Sequence, residues 1–287
     1  MSGAGGAAGA AGGGAGAGGA GGAAGGGGAA GSGGAGGMTA CAGKAVSFAA
    51  NGTSNASDAA HARVMVNLGS DLPIMNANRT LEFWAWVRST DWRGESNTIY
   101  EYGDQSAQNA GFGLDFGGTQ SPTNGTIDPY TNGSYDNDNQ PTMLPTNIDQ
   151  WVHFAMVWDG MAVITYVNGT ARSTRMGTGG LRTAQTELTI GCNNPRFSCF
   201  GGYIDEYRVW NVARSATEVM QNYNRGMVGN ETGLVGYWKF NEASGTTAAD
   251  SVTTGGHTAH NGTLMVVSPN ALPTFVTPAM PLMLTCP

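Results

Sequence analysis

In Leu81-Glu-Phe-Trp-Ala-Trp-Val-Arg88 the side-chain character alternates with a period of two. Leu81, Phe83, Ala85 and Val87 share one face, and Glu82, Trp84, Trp86 and Arg88 share the other, which is the geometry of a strand with one side in a core. The same logic makes a meander of Trp151 to Trp158, Met161 to Val167 and Thr170 to Thr174. Their separators, Asp159-Gly160 and Asn168-Gly169, are dipeptides that supply the positive φ angles of type I′ hairpin turns. Shorter strands are predicted at Lys44 to Phe48, Arg63 to Leu68, Thr98 to Tyr102, Gly111 to Phe116, Glu187 to Gly191 and Gly202 to Trp210. One helix is expected. Ser215-Ala-Thr-Glu218 is a capping box, Val219 and Tyr223 follow on one face, and Gly226 ends it. The fold class is all-β, a two-sheet antiparallel sandwich with one short surface helix.

Residues 1–37 contain only Met, Ser, Gly and Ala, so they offer neither a core nor a charge and read as a disordered linker. Random-coil scaling puts the ends of such a tract on the order of 35 Å apart. Residues 38–287 read as one domain, of the size a single β-sandwich reaches. Within it, Gly117 to Asp149 is rich in Asn, Asp, Thr, Pro and Gly and is expected to be a surface excursion.

The chain carries 13 Lys plus Arg against 20 Asp plus Glu, a net charge of -7 with no basic cluster, which argues against nucleic acid as a partner. No apolar run is long enough to insert in a membrane, and no signal-peptide pattern follows Met1. A Gly/Ala tether makes most sense behind a cleaved export signal or a lipid anchor, so a secreted or cell-surface location is expected. The cysteines agree. Cys192 and Cys199 are seven residues apart and suit a closed loop, while Cys41 and Cys286 bracket the domain and suit a clasp. Four buried thiols are the alternative.

Three separated segments carry a family resemblance. Leu188-Thr-Ile-Gly191 leads through a short loop to Gly202-Tyr-Ile-Asp-Glu-Tyr-Arg-Val-Trp-Asn211 and Ala213-Arg-Ser-Ala-Thr-Glu218. With Trp151-Val-His-Phe, Asp159-Gly160 and Tyr166-Val-Asn-Gly169, and with Phe83 to Val87, the order resembles the laminin G-like/pentraxin branch of the concanavalin A-like lectin and glucanase superfamily. The resemblance implies a jelly roll. It places Trp84 and Ala155 where pentraxins have a disulfide, so a large residue would face a small one and Trp84 would be core. Leu234 to Glu242 and His260 to Leu264 resemble a segment that introduces a further module. Here they are expected to add strands to the same sandwich.

The resemblance also implies a structural calcium ion on Asp205 and on oxygens of the loop after the first strand, here Asn51 and Asp58. The ligand-binding calcium site of pentraxins lacks its carboxylates, since Gln108, Asn109 and Cys192-Asn-Asn-Pro-Arg196 stand in its places. Phosphocholine binding of the pentraxin kind is therefore not expected. Hydrolases of the superfamily resemble Glu-x-Asp-x-x-Glu on one strand, and no such string occurs; Asp205-Glu206 is adjacent and expected to point to opposite faces. His257-Thr-Ala-His260 has metal-like spacing but lies in a Gly-flanked loop with no acidic or Cys partner, and reads as an exposed turn.

Aromatic residues in loops can stack on sugar rings. Arg196, Phe197, Trp92, Tyr130 and Tyr135 are the candidate ligand contacts, with Arg196 and Phe197 foremost because a cystine would brace their loop. The leading functional expectation is a non-enzymatic, extracellular carbohydrate-binding module. A protein-interaction or adhesion module without a sugar ligand is second, and a glycoside hydrolase third.

Overall fold

The computed structural model describes residues 43–49, 62–91, 97–104, 106–116, 125–135, 144–185, 187–192, 199–266 and 271–287. In chain order the strands are β1 (Ala45–Phe48), β2 (Arg63–Asn67), β3 (Arg79–Val87), β4 (Asn97–Gly103), β5 (Gly111–Phe116), β6 (Gly125–Tyr130), β7 (Leu144–Thr146) and β8 (Trp151–Trp158). They continue as β9 (Ala162–Val167), β10 (Thr170–Met176), β11 (Glu187–Ile190) and β12 (Gly202–Trp210). After the helix α1 (Ala216–Asn222) come β13 (Leu234–Trp238), β14 (Thr247–Ala248), β15 (Gly262–Met265) and β16 (Thr274–Val276). All pair antiparallel, as two sheets in a jelly-roll sandwich. The first sheet runs β10-β9-β8-β3-β12-β1-β16, with β13 also on β12; the second runs β14-β15-β2-β11-β4-β5-β6-β7.

Between the sheets, Leu81, Phe83, Ala85 and Val87 of β3 meet Val64, Val66, Tyr100, Leu114 and Ile190 in one core. Phe83 sits at its centre, stacked on Tyr207 at 5.3 Å and edge-on to Tyr100 at 5.7 Å. The helix starts as its sequence requires. The Ser215 hydroxyl accepts from the Glu218 amide, and the Glu218 carboxylate accepts from the Ser215 amide. As expected, the C-terminal strands join the same sandwich, β13 and β16 in the first sheet and β14 and β15 in the second.

The structure corrects four local readings. The segment from Gly117 to Asp149 is not simply a surface excursion: β6 and β7 extend the second sheet, and Ile127 and Tyr135 are buried. Asn168-Gly169 has positive φ at both residues, 48° and 73°, as a type I′ turn needs, but in Asp159-Gly160 only Gly160 does, at 93°. There the Asp159 carboxylate accepts from the Met161 and Ala162 amides and shapes a wider turn. Trp84 is buried, yet it pairs across the sheet with His153, and Ala155 pairs with Glu82, so the two expected partners are two residues out of register.

The fourth correction concerns Asp205-Glu206. Asp205 pairs with Trp84 and Arg208 with Glu82, which leaves Glu206 and Tyr207 together opposite Phe83 in a bulge, with Glu206 at a φ of 53°. The bulge breaks the alternation. Tyr207 enters the core, and Glu206 turns to Arg208 on the same side as Asp205.

Cys192 and Cys199 form a disulfide, with Cα atoms 4.0 Å apart. Cys286 is also disulfide-bonded, while Cys41 lies outside the described residues.

Gly169 serves two purposes. Its φ of 73° closes the hairpin, and a Cβ there would lie 2.7 Å from the Tyr223 ring, where the helix end crosses the turn. Gly69, at a φ of 54°, has nothing within 4 Å of such a Cβ. Gly69→Ala is expected to cost about 1 kcal/mol in urea unfolding, for backbone strain alone. Gly169→Ala is expected to cost about 1–3 kcal/mol more, for the added overlap with the helix.

Candidate functional site

The outer face of the first sheet is covered. Trp84 donates its indole N–H to the Tyr223 carbonyl at 2.9 Å and packs with Leu282 and Leu284, while Val219 of α1 packs on Ala155, Val157 and Tyr166. Beneath this cover lies Glu82, fully buried on the middle of β3. Its Oε1 accepts from Arg214 at 2.7 Å, from the Trp210 indole at 3.0 Å and from Arg208 at 3.5 Å. Arg208 also donates to Glu206 at 2.8 Å and to the Arg225 carbonyl at 2.7 Å, and the Tyr237 hydroxyl donates to Glu206. Burial pushes the Glu82 carboxyl up, but the Arg214 and Arg208 charges outweigh it, and the group titrates below the ordinary range. His153, whose Nε2 is 3.7 Å from the Glu82 Oε2, is held at about 3 by burial despite the attraction of Glu82. It is therefore neutral at pH 7, and the arginines are the working counter-charges.

This network fixes the wall of a groove of about 350 Å³ beside the helix, lined by Trp210, Arg214, Glu218, Asn222, Arg225 and Glu231 among others. Its volume falls in the range of small-molecule sites. The Arg214 guanidinium lies 4.2 Å from the Trp210 ring centre and forms the floor with it. Glu231 is spent on the Val228 and Gly229 amides, and Glu218 on the cap of α1. Arg225 is exposed at the rim, its backbone held by Arg208, and Asn222 is half-buried beside it. The groove was not visible in sequence, because it arises where residues 225–232 return against α1 and the end of β12.

The predicted site residues are dispersed. Tyr135 is 2% exposed, edge-on to Trp158 at 4.8 Å, and its hydroxyl accepts from the Gly180 amide. It is core, and cannot stack on a sugar. Tyr130 is half-buried at the end of β6, with its hydroxyl on Asn132. That end also holds Asn109, whose amide group bonds the Thr178 carbonyl and the Ser134 amide. The cystine lies at the end of β11, three strands from β6, so it and Tyr130 do not share one site. Trp92, Arg196 and Phe197 lie outside the residues whose side chains are described, as do Asn51 and Asp58.

Asp205 is 1% exposed. Burial, together with the neighbouring Glu206 and Glu242 charges, raises its pKa well above the ordinary value. The Glu206 amide donates to one of its oxygens at 2.8 Å. The Oε2 of Glu242 is buried without a hydrogen-bond partner. Crowded carboxylates with an orphaned oxygen suit a hard cation.

Residues 44–220 match a laminin G-like family model described as the concanavalin A-like lectin/glucanases superfamily. No curated protein sequence matches this chain. Among solved structures, a Bacteroides ovatus ATCC 8483 protein described as a "putative carbohydrate binding protein" is similar, with a TM-score of 0.59 and 21% identity. The likeness covers 84% of this chain and 61% of that one, so this chain spans less than two thirds of it. A native heptameric SAP-like pentraxin from Limulus polyphemus follows at 17% identity and a TM-score of 0.45, covering 62% of this chain and 80% of that one. Domain 4 of a GH43 extracellular arabinanase from Geobacillus stearothermophilus, in complex with arabinotriose, has 17% identity, a TM-score of 0.40 and coverage of 62% and 87%.

Glu82→Gln would remove the buried counter-charge of Arg214 and leave Arg208 with Glu206 alone. Urea unfolding is expected to show a loss of about 3–5 kcal/mol. The folded state resists protonating His153, whereas the unfolded chain takes the proton near 6.5, so stability falls as pH drops from 6.5 toward about 3. Melting temperature against pH is expected to fall more steeply between about pH 6.5 and 4.5 in the wild type than in His153→Phe, with the difference between the two curves reporting His153.

Proposed function

Because the chain belongs to the concanavalin A-like lectin/glucanases superfamily, in its laminin G-like family, we propose that it is a non-enzymatic extracellular carbohydrate-binding module. The groove beside α1 carries this reading. A guanidinium and a carboxamide at its rim, Arg225 and Asn222, can bond sugar hydroxyls, and the rigid wall behind them lowers the ordering cost of binding. The Cys192–Cys199 disulfide supports an oxidising location. Against turnover, the buried carboxylates Glu82 and Glu206 are bound to arginines and shielded from solvent, a poor state for acid/base work. The Bacteroides ovatus protein agrees at the level of fold.

A calcium ion is part of the proposal. Asp205 and Glu242 would hold it together with the early-loop oxygens of Asn51 and Asp58. It would neutralise carboxylates that otherwise repel one another, and so act as a structural ion. Millimolar calcium is expected to raise the melting temperature by roughly 5 °C or more over chelator at a hundredfold excess over Kd. Asp205→Asn is expected to remove that response, and a chelator without effect on the wild type would contradict the ion.

Sugar binding is tested on a glycan array, with and without chelator. Wild-type protein should bind a restricted set of glycans, and Arg225→Ala should bind them at least about tenfold more weakly. Arg196→Ala on the same array tests the cystine loop as the contact instead. Binding to no glycan under either condition would sink the lectin reading in favour of a protein partner.

A further inference from the structure

We propose that Asp71, His257 and His260 form a zinc-binding site at the edge of the second sheet, separate from the calcium position and from the groove. The sequence alone does not bring an acidic ligand to His257-Thr-Ala-His260, but the fold does. The two histidines lie in the connection between β14 and β15, and Asp71 lies in the short 3-10 turn Gly69–Asp71 that follows β2. Strands β2 and β15 are paired, which brings the two connections together although Asp71 and His260 are 189 residues apart.

One ligand-capable atom from each of Asp71, His257 and His260 lies within 4.8 Å of the others. Ligand atoms around tetrahedral zinc are separated by about 3.3 Å, so small side-chain rotations close the site. The Nε2 of His260 is already 2.8 Å from the Oδ2 of Asp71, and the two imidazoles pack edge to face at 5.2 Å.

The histidines are held as metal ligands usually are. Asp250, with a fully buried side chain, lies 2.7 Å from the Nε2 of His257 and accepts from the backbone amides of His260 at 2.9 Å, Tyr237 at 3.1 Å and Val252 at 3.0 Å. A metal bound through the Nδ1 of His257 keeps that carboxylate behind the ring, the arrangement that orients an imidazole and raises its basicity. The His260 carbonyl accepts from the Trp238 indole at 2.9 Å, so the second ligand's backbone is also anchored in the sandwich.

The ligand set favours zinc over calcium. Two imidazoles and one carboxylate suit zinc, whereas calcium requires six or more oxygens. The histidine side chains are 9% and 12% exposed and Asp71 is 42% exposed, so the ion enters from the Asp71 side, and the fourth position falls to water. A pair of His–Asp ion pairs would need no convergence of the two rings on one point.

The test is titration of the full chain with zinc alone against a chromophoric chelator. One equivalent should bind, without competition from calcium. Asp71→Asn changes an exposed group and leaves the fold intact by near-ultraviolet circular dichroism, yet should weaken zinc at least about tenfold. Asp250→Asn should weaken it by about 10–100-fold through loss of the support behind His257. Less than one equivalent in the wild type, or zinc affinity unchanged from the wild type in Asp71→Asn and in His257→Gln, would overturn the site and leave two His–Asp hydrogen-bonded pairs. The zinc readout does not depend on sugar binding.

Discussion

The Oε1 atom of Glu82 accepts hydrogen bonds from Arg208, Trp210 and Arg214, and the arrangement of the outer layer follows from that. A carboxylate on the outer face of a central strand would ordinarily sit in water. Here Trp84 beside it needs an apolar cover, which Leu282, Leu284 and the end of α1 provide, and the same cover buries Glu82. Burying that charge costs several kcal/mol unless cations follow it, and Arg208 and Arg214 do. Because Arg214 begins the run into α1 and Arg208 also holds the Arg225 carbonyl, the segments on both sides of the helix are tied to β3. The groove takes its shape from these ties.

Much of the fold was legible because it is encoded locally. The alternation of Leu81 to Val87, the Asn168-Gly169 turn and the Ser215 capping box each depend on residues within a few positions of one another. Non-local features escaped. The bulge at Glu206 is set by Tyr207 competing for the core beside Phe83, which no count along β12 reveals. Tyr135 sits in a run of polar residues that reads as loop, but the edge of Trp158 gives it a core position. The Asp71 carboxylate reaches His260 only because β15 lies on β2. Of the expected ligand contacts with described side chains, Tyr130 stays at the surface and Tyr135 does not.

The carboxylates divide by environment. Glu82 and Glu206 are neutralised by arginines and serve the packing of the outer layer. Asp205 is crowded by the Glu206 and Glu242 charges, and one Glu242 oxygen is buried without a donor, a condition that a hard cation relieves. Asp250 is saturated by backbone amides and an imidazole, and therefore acts on its neighbours through position. One sandwich thus gives three kinds of site for acidic residues, and in each the choice is made by what else is buried alongside.

The layer over the first sheet is thus part of the core, tied down through Glu82, and the groove beside the helix is a rigid surface. Native-state amide hydrogen exchange of the wild-type protein tests it most directly. Residues 216–222 of α1 and the segment 282–285 should exchange with an opening free energy equal to that of β3 and β12. Exchange of the helix and the C-terminal segment by a separate, low-energy opening, with β3 still protected, would contradict it.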